Sequence, residues 1–492
     1  MKGTLSSAAI LALVSILLVS GVMPAKAEDS SVEVEKLRRS HDALQKRVDE
    51  LEKRQAEAPQ QSDQAARDKQ KGVLPITPYY KDGFFLETAD EQFRLNVTGV
   101  LQTDARVFPG STESPDSFDI RRARFDFRGW HYKNNVFRLQ LEMADTPYLR
   151  NAYWNFKKWP EAQLQLGQFK IPVGGAEFLT EEAQINFIEY SVDTPISPFF
   201  DRGFMLWGLP LDGIVQYCAG VFTGAGLDAD QNSGDLDNSK DFAGRLLFVP
   251  FKKTDIAAIQ GLHVGGGYQY GMESIGTRRG ETRNRTEDFN SYWFDWKASS
   301  VDLQRRDRWG AEAHYLLGPL TLSYEYNAVG WHDITVYNAD GTIGSELPDT
   351  YSASVHQLWA SYFLTGEKKE FQDVFFAWRQ PKPKKNFSLK NFSLRDSTWG
   401  AWEVLARGAY REIDKTLFDR GVLDGSRQGY SLTGGINWIA NPKVRIMFNV
   451  NYLRSEKGTG ILTQSADKGK ADGAKEQVDD EIGILLRFVL TI

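Results

Sequence analysis

From Phe93 to the last residue the chain alternates apolar and polar side chains with a period of two. Phe93, Leu95 and Val97 are separated by Arg94 and Asn96, and Phe137, Leu139, Leu141 and Met143 by Arg138, Gln140 and Glu142. Leu320, Leu322, Tyr324 and Tyr326 alternate with Thr321, Ser323 and Glu325, and Val444, Ile446, Phe448 and Val450 follow the same rule. Successive side chains of a strand point to opposite faces, so the pattern builds a sheet with one greasy face and one wet face. It also reconciles 13% aromatic residues with a mean hydropathy of −0.43. A bundle of membrane-spanning helices, each needing about 20 apolar residues, does not fit that mean.

Loop lengths separate a soluble sandwich from a closed barrel. Alternation and turn residues place sixteen strands, starting near residues 94, 120, 136, 151, 162, 204, 214, 242, 262, 309, 320, 353, 398, 430, 444 and 480. Short connections (131–135, 157–161, 210–213, 252–261, 318–319, 441–443) alternate with long ones (107–119, 168–203, 223–241, 272–308, 329–352, 412–429, 455–479). Only 146–150 and 365–397 depart from the rule. An even strand number with tight turns at one end and long loops at the other is the pattern of outer-membrane barrels. The expected fold class is all-β, a sixteen-stranded antiparallel transmembrane β-barrel, with a short N-terminal coiled-coil helix before it.

Residues 1–27 read as a signal peptide: Lys2, an apolar run from Ala8 to Val19, then the small-x-small site Ala25-Lys26-Ala27. Its removal takes away Lys2 and Lys26 and moves the net charge from −6 to −8. In 28–55, Val34, Leu37, His41, Leu44, Val48 and Leu51 hold the a and d positions of a coiled-coil segment. Residues 56–73 are polar enough for a flexible linker, and 74–492 form the barrel domain. The helix is expected to be an oligomerisation stalk in the periplasm that can touch the cell wall.

Four short motifs carry a family resemblance: Leu166-Gly167-Gln168-Phe169-Lys170; Tyr362-Phe363-Leu364-Thr365-Gly366-Glu367; Gly400-Ala401-Trp402-Glu403-Val404 with Arg407; and Gly435-Ile436-Asn437-Trp438 followed by Asn441-Pro442-Lys443-Val444-Arg445. In this order, over Phe84 to the C-terminus, the chain resembles the phosphate-selective porin O and P family. The resemblance implies a trimeric sixteen-stranded barrel in the outer membrane whose loops narrow the pore and select anions. Members selective for phosphate place lysines in the third long loop. Here residues 171–203 carry Arg202 against Glu177, Glu181, Glu182, Glu189, Asp193 and Asp201.

The polar strand faces give the pore wall an independent reading. Arg94, Arg122, Arg124, Arg128, Arg138, Arg407, Arg411 and Arg445, together with Arg106 and Arg487, fall on the lumenal side against Asp104, Asp126, Glu142, Glu312, Glu325 and Glu403. A planar guanidinium fork suits oxyanions better than an ammonium does, and low-dielectric walls focus the field of such an excess. These arginines are the expected anion path, or else braces paired with the acids across strands. Lys170, Glu177, Glu181, Glu182 and Arg202 are the candidates for a constriction, and Arg278, Arg279, Arg283 and Arg285 for a basic pore mouth.

Other classes find little support. Cys218 is the sole cysteine, so there is no disulfide framework, and the acidic balance speaks against nucleic acid as a partner. No hydrolase, metalloprotease or nucleotide-binding motif occurs, and the pair Glu312 and His314 is the one weak hint of an enzyme. Asp228, Asp230, Asn232 and Gly234 lack the spacing of a calcium loop, so neither metal nor cofactor is expected. The partners are outer-membrane lipid and small anionic solutes in passive diffusion. The alternatives are a structural tether whose barrel is plugged by its loops, and a non-selective or cation-preferring pore.

Overall fold

The computed structural model describes residues 35–36, 38–50, 53 and 74–492, except 82, 110–113, 145–146, 192–195, 225, 227–237, 275–282, 288–290, 297–300, 339, 373–375, 391–397, 457–459 and 464–476. The chain divides into two compact units, Met1–Pro75 and Ile76–Ile492. In the first, residues 38–50 are helical, Arg39 pairs with Glu35 one turn back at 2.9 Å, and Leu44 is exposed. The signal-peptide and linker segments lie outside the described residues, as do the acidic segment 228–237, Arg278 and Arg279.

The second unit is a barrel of sixteen strands: β1 (Phe93–Val107), β2 (Ser117–His131), β3 (Asn135–Glu142), β4 (Tyr148–Trp159), β5 (Ala162–Lys170), β6 (Phe200–Gly208), β7 (Val215–Phe222), β8 (Asp241–Phe248), β9 (Leu262–Ser274), β10 (Val301–Leu317), β11 (Leu320–Tyr337), β12 (Ile343–Phe363), β13 (Ala401–Ile413), β14 (Gln428–Asn441), β15 (Val444–Glu456) and β16 (Asp480–Thr491). Each is antiparallel to the next, and β16 closes on β1 from Ile484↔Val107 to Thr491↔Val100. Closure removes the open edges that a flat sheet would expose. Phe125, Leu139, Trp154, Leu166, Phe204 and Leu246 stand exposed on the outer face, while Gln102, Asp126, Gln140, Asn155 and Glu325 are buried inside. A hairpin of Ile76–Tyr80 and Phe84–Thr88 extends the wall below β1, where Phe84 pairs with Val97.

The strands are taller than the alternation implies in one sector. The expected long loop 329–352 is mostly strand, because β11 runs to Tyr337 and β12 starts at Ile343, and β10 starts at Val301 rather than near 309. Residues 327–331 are buried on both faces, so the period of two disappears there. Trp296 and Phe294 from the loop before β10 pack on Trp331 and cover the second face.

The described residues of the connection 171–199, hereafter L3, are almost all buried and include one short helix, Gly175–Leu179. At the opposite end, the connection between β12 and β13 is long and also turns inward. Its strands Glu370–Phe371 and Trp378–Arg379 bury Trp378 and Lys369, while Lys382, Lys384, Lys385 and Lys390 stay exposed. If the long loops face the cell exterior, an epitope at Gly341, on the tip between β11 and β12, will be reached by antibody on intact cells. One at Lys158, beside a tight turn, will not. Reversed labelling would invert the barrel.

Candidate functional site

L3 crosses the lumen and is hydrogen-bonded to the wall on both sides. From β1, Gln102 donates to the Glu182 carbonyl at 3.0 Å; from β14, Asn437 donates to the Asn186 carbonyl at 2.8 Å. Arg445 on β15 donates to the Ile185 and Ala183 carbonyls, both at 2.9 Å, and Arg487 on β16 to that of Ile188. These backbone groups have no strand partner, so the wall supplies the hydrogen bonds that burial requires.

The acids of L3 sit in cages of arginine. Glu189 accepts from Arg122 at 2.9 Å, Arg121 at 3.0 Å and Arg487 at 2.6 Å. Glu182 meets Arg124 at 2.7 Å and also Arg150. Glu181 meets Arg138 at 2.6 Å, and Glu177 meets Arg407 at 2.7 Å. Behind them, Glu142 pairs with Arg124, Asp126 with Arg138 and Arg128, and Asp104 with Arg487 and Arg106. Burial alone would raise the Glu181 carboxyl, but Arg138 holds it at about 2. Burial is likewise outweighed at Glu182, mainly by Arg124 and Arg150, and at Glu189, mainly by Arg122 and Arg121, so both lie well below the ordinary carboxylate range.

Two of these arginines escape an alternation argument. Gln102 pairs with Arg122 and Thr103 with Ile120, which leaves Arg121 as the extra residue of a bulge. Gln140 pairs with Asn151 and Leu141 with Leu149, which leaves Arg150 as another. A bulge re-aims the extra side chain, and both bulges deliver a guanidinium to an L3 carboxylate. The first has a trace in the sequence: the outward apolar positions are even at Phe118 and Ile120 and odd at Phe125 and Phe127.

The remaining candidates are spread around the barrel. Arg94 is at the turn end, its guanidinium 4.2 Å from the Phe85 ring centroid and 4.6 Å from that of Trp130. Arg128 is half-exposed, its side chain 48% open. Arg411 pairs with Glu287 at 2.6 Å and lies over Trp293. Lys170 is buried among Phe178, Tyr190, Phe199 and Phe200 and donates to the Phe178 and Thr180 carbonyls at 2.7 Å, so it pins the root of L3. Arg202, on β6, reaches toward the Gly226 carbonyl at 3.4 Å. Arg283 and Arg285 lie on a short strand that pairs with Tyr292–Trp296.

A closed sixteen-stranded barrel with a polar interior and a loop folded across it is the frame of a diffusion pore. The sequence family described as phosphate-selective porin O and P matches residues 95–468, well over half of the chain. The chain belongs to this family. No curated protein sequence matches it. Among solved structures it is similar to the anion-selective porin from Comamonas acidovorans, at 11% identity over 81% of this chain and 100% of that one, with a TM-score of 0.48. It is also similar to OprB of Pseudomonas putida, at 10% identity over 82% and 95% of the two chains, with a TM-score of 0.47. The outer-membrane channel DcaP of Acinetobacter baumannii gives 9% identity, coverage of 82% and 99%, and a TM-score of 0.45. Membership of the family makes the protein an outer-membrane porin.

In this porin, Glu312 and His314 are both buried on the inner face of β10. With Glu325 they can each offer one ligand atom, all within 4.8 Å. Both oxygens of Glu312 are held by Arg245, at 2.6 Å each, so the set is filled by an ion pair rather than prepared for a metal. The inner face of β10 also carries Arg306, paired with Asp241 at 2.7 Å, within the expected long loop 272–308.

Glu189→Gln leaves Arg122 and Arg487 without their shared charge. Breaking a buried pair costs about 3–5 kcal/mol, so the variant should convert from the folded to the unfolded gel form at lower temperature than wild type. The Glu181 pair is at full strength above the ordinary carboxylate value of 4.5 and fails as pH falls through about 2. Heat resistance should therefore hold from neutrality to about pH 5 and drop on further acidification.

Proposed function

We propose that this porin passes small anions by passive diffusion, with phosphate or related oxyanions among its solutes. It works as a homotrimer, with its long loops outside the cell and the N-terminal helix as a periplasmic stalk. The observation that carries anion preference is the covering of L3. Its acids would favour cations if they faced water, yet Glu177, Glu181, Glu182 and Glu189 each accept from at least one wall arginine. Among the described residues of the cages on β1–β4 and β16, eight guanidinium groups face six carboxylates. Arg128 is the most open of these cations, and a focused positive remainder attracts anions without a tight site. The family description adds phosphate as the solute class.

A second reading is favoured by the inward turn between β12 and β13, which meets L3 where the Trp378 amide donates to Thr180 Oγ1 at 2.8 Å and Lys369 donates to Asn186 Oδ1 at 2.6 Å. A barrel closed from both ends would be a tether, and planar-bilayer recordings without conductance would support it. For the porin, the test is the reversal potential in a salt gradient, repeated with phosphate as competitor. Wild type should favour anions. Arg128→Gln should move the reversal potential toward the cation side, and Arg124→Gln, which uncovers Glu142 and Glu182, should move it further, by about twofold or more in permeability ratio. Unchanged potentials would reduce the arginines to braces.

A further inference from the structure

Beneath the helix of L3 three carboxyl groups converge on two cations. Glu312 on β10 and Glu325 on β11 are directly opposite one another in register, and Gln357 on β12 is opposite Glu325. Glu177 comes down from L3, and all four are buried. Arg245 takes both oxygens of Glu312 at 2.6 Å, and Arg407 takes Glu177 at 2.7 Å. His314 is bonded to Glu312 Oε2 at 2.9 Å and to Ser323 Oγ at 2.8 Å. Among the described residues no cation pairs with Glu325. Its Oε1 accepts the Glu177 amide at 2.9 Å, its Oε2 is 3.5 Å from Gln357 Nε2, and Gln357 Oε1 has no donor. Like charges directly opposite on neighbouring strands are unfavourable, and an unpaired buried charge much more so.

We infer that Glu325 carries a proton, and that this neutral carboxyl is a positioning residue that seats L3 on the β10–β12 wall. The inference rests on the porin reading, since its function is to hold the constriction in place. The proton turns Oε2 into a donor toward a neighbouring carboxylate, Glu177 or Glu312, while that oxygen still accepts from Gln357 Nε2. The other oxygen keeps the Glu177 amide, while Glu312 Oε2 accepts the Ala176 amide at 3.1 Å. Gly175 makes the close approach: its φ is +80°, and a Cβ there would run into the Glu325 carboxyl. Loss of the proton would put three carboxylates against two guanidinium groups. The loop is the member free to leave, so L3 lifts from this wall as pH rises.

The experiment is single-channel conductance of the full-length porin from about pH 6 to about pH 10, the window reached by carboxyls that burial raises. Wild type should show a reversible alkaline step in conductance. Glu325→Gln, neutral at every pH, should keep the low-pH conductance throughout, and Gly175→Ala, which cannot seat the loop, should show the high-pH level throughout. A conductance independent of pH, or a step that survives in Glu325→Gln, overturns the inference while leaving the porin intact; a chain with no conductance overturns the porin reading instead. A step driven by zinc or EDTA at fixed pH would assign the site to a cation at Glu312, His314 and Glu325, and also overturns it. Independently of current, the infrared carbonyl stretch of a protonated carboxylic acid should be present at neutral pH in wild type and lost in Glu325→Gln. Its presence in both variants or in neither counts against the assignment.

Discussion

Moving a carboxylate or a guanidinium out of water costs several kcal/mol for each ion, and the interior of this barrel does so at Glu182, Glu189, Asp104, Arg124 and Arg487 together. Such a set is tolerable only when the charges are interleaved and every remaining lone pair finds a donor. That condition fixes L3. Glu181, Glu182 and Glu189 cannot be withdrawn from the arginine cages without stranding charge on both sides, so that end of the loop is held by the same groups that make the wall polar. A pore whose constriction depended on apolar packing alone would have no reason to carry six arginines on β2, β3 and β4.

The barrel was legible because its two solvents impose period two on every strand, and a rule repeated sixteen times survives local exceptions. Where a third environment intrudes, the rule fails. The upper part of β11 lies under Phe294 and Trp296 and is buried on both faces at residues 327–331, so it reads as loop. The bulges at Arg121 and Arg150 shift parity by one residue, and only the change from Phe118 and Ile120 to Phe125 and Phe127 betrays the first. The pairings of L3 were out of reach for a different reason. Glu177 and Arg407, or Glu189 and Arg487, are hundreds of positions apart, and nothing local in an acidic loop says which wall it will face.

The inward turn between β12 and β13 has a comparable logic. Phe371 and Trp378 stack at 4.1 Å and cover His314 at 5.3 and 5.2 Å, so a short hairpin brings an aromatic lid to a buried polar cluster. Lys369 follows it in and pairs with Glu403 at 2.6 Å. Residues 365–397 were anomalous as a tight turn because they are not one; their length is what lets the hairpin reach L3.

Selectivity in such a pore is a remainder. Acids on L3 and arginines on the wall nearly cancel, and what a passing ion feels is the difference, concentrated where a charged group is both uncovered and near the narrowest point. Counting acids in the loop alone therefore points to cations, and counting arginines on the wall alone overstates the excess. Arg128 and Arg124 act on the solute by different routes: nearly half of Arg128 still faces the lumen and meets the ion directly, while Arg124 is consumed by Glu142 and Glu182 and acts by keeping both acids covered. An arginine serves both roles better than a lysine. One edge of its planar fork can remain on a carboxylate while the other meets an oxyanion, and an ammonium, as a compact point charge, offers no such division.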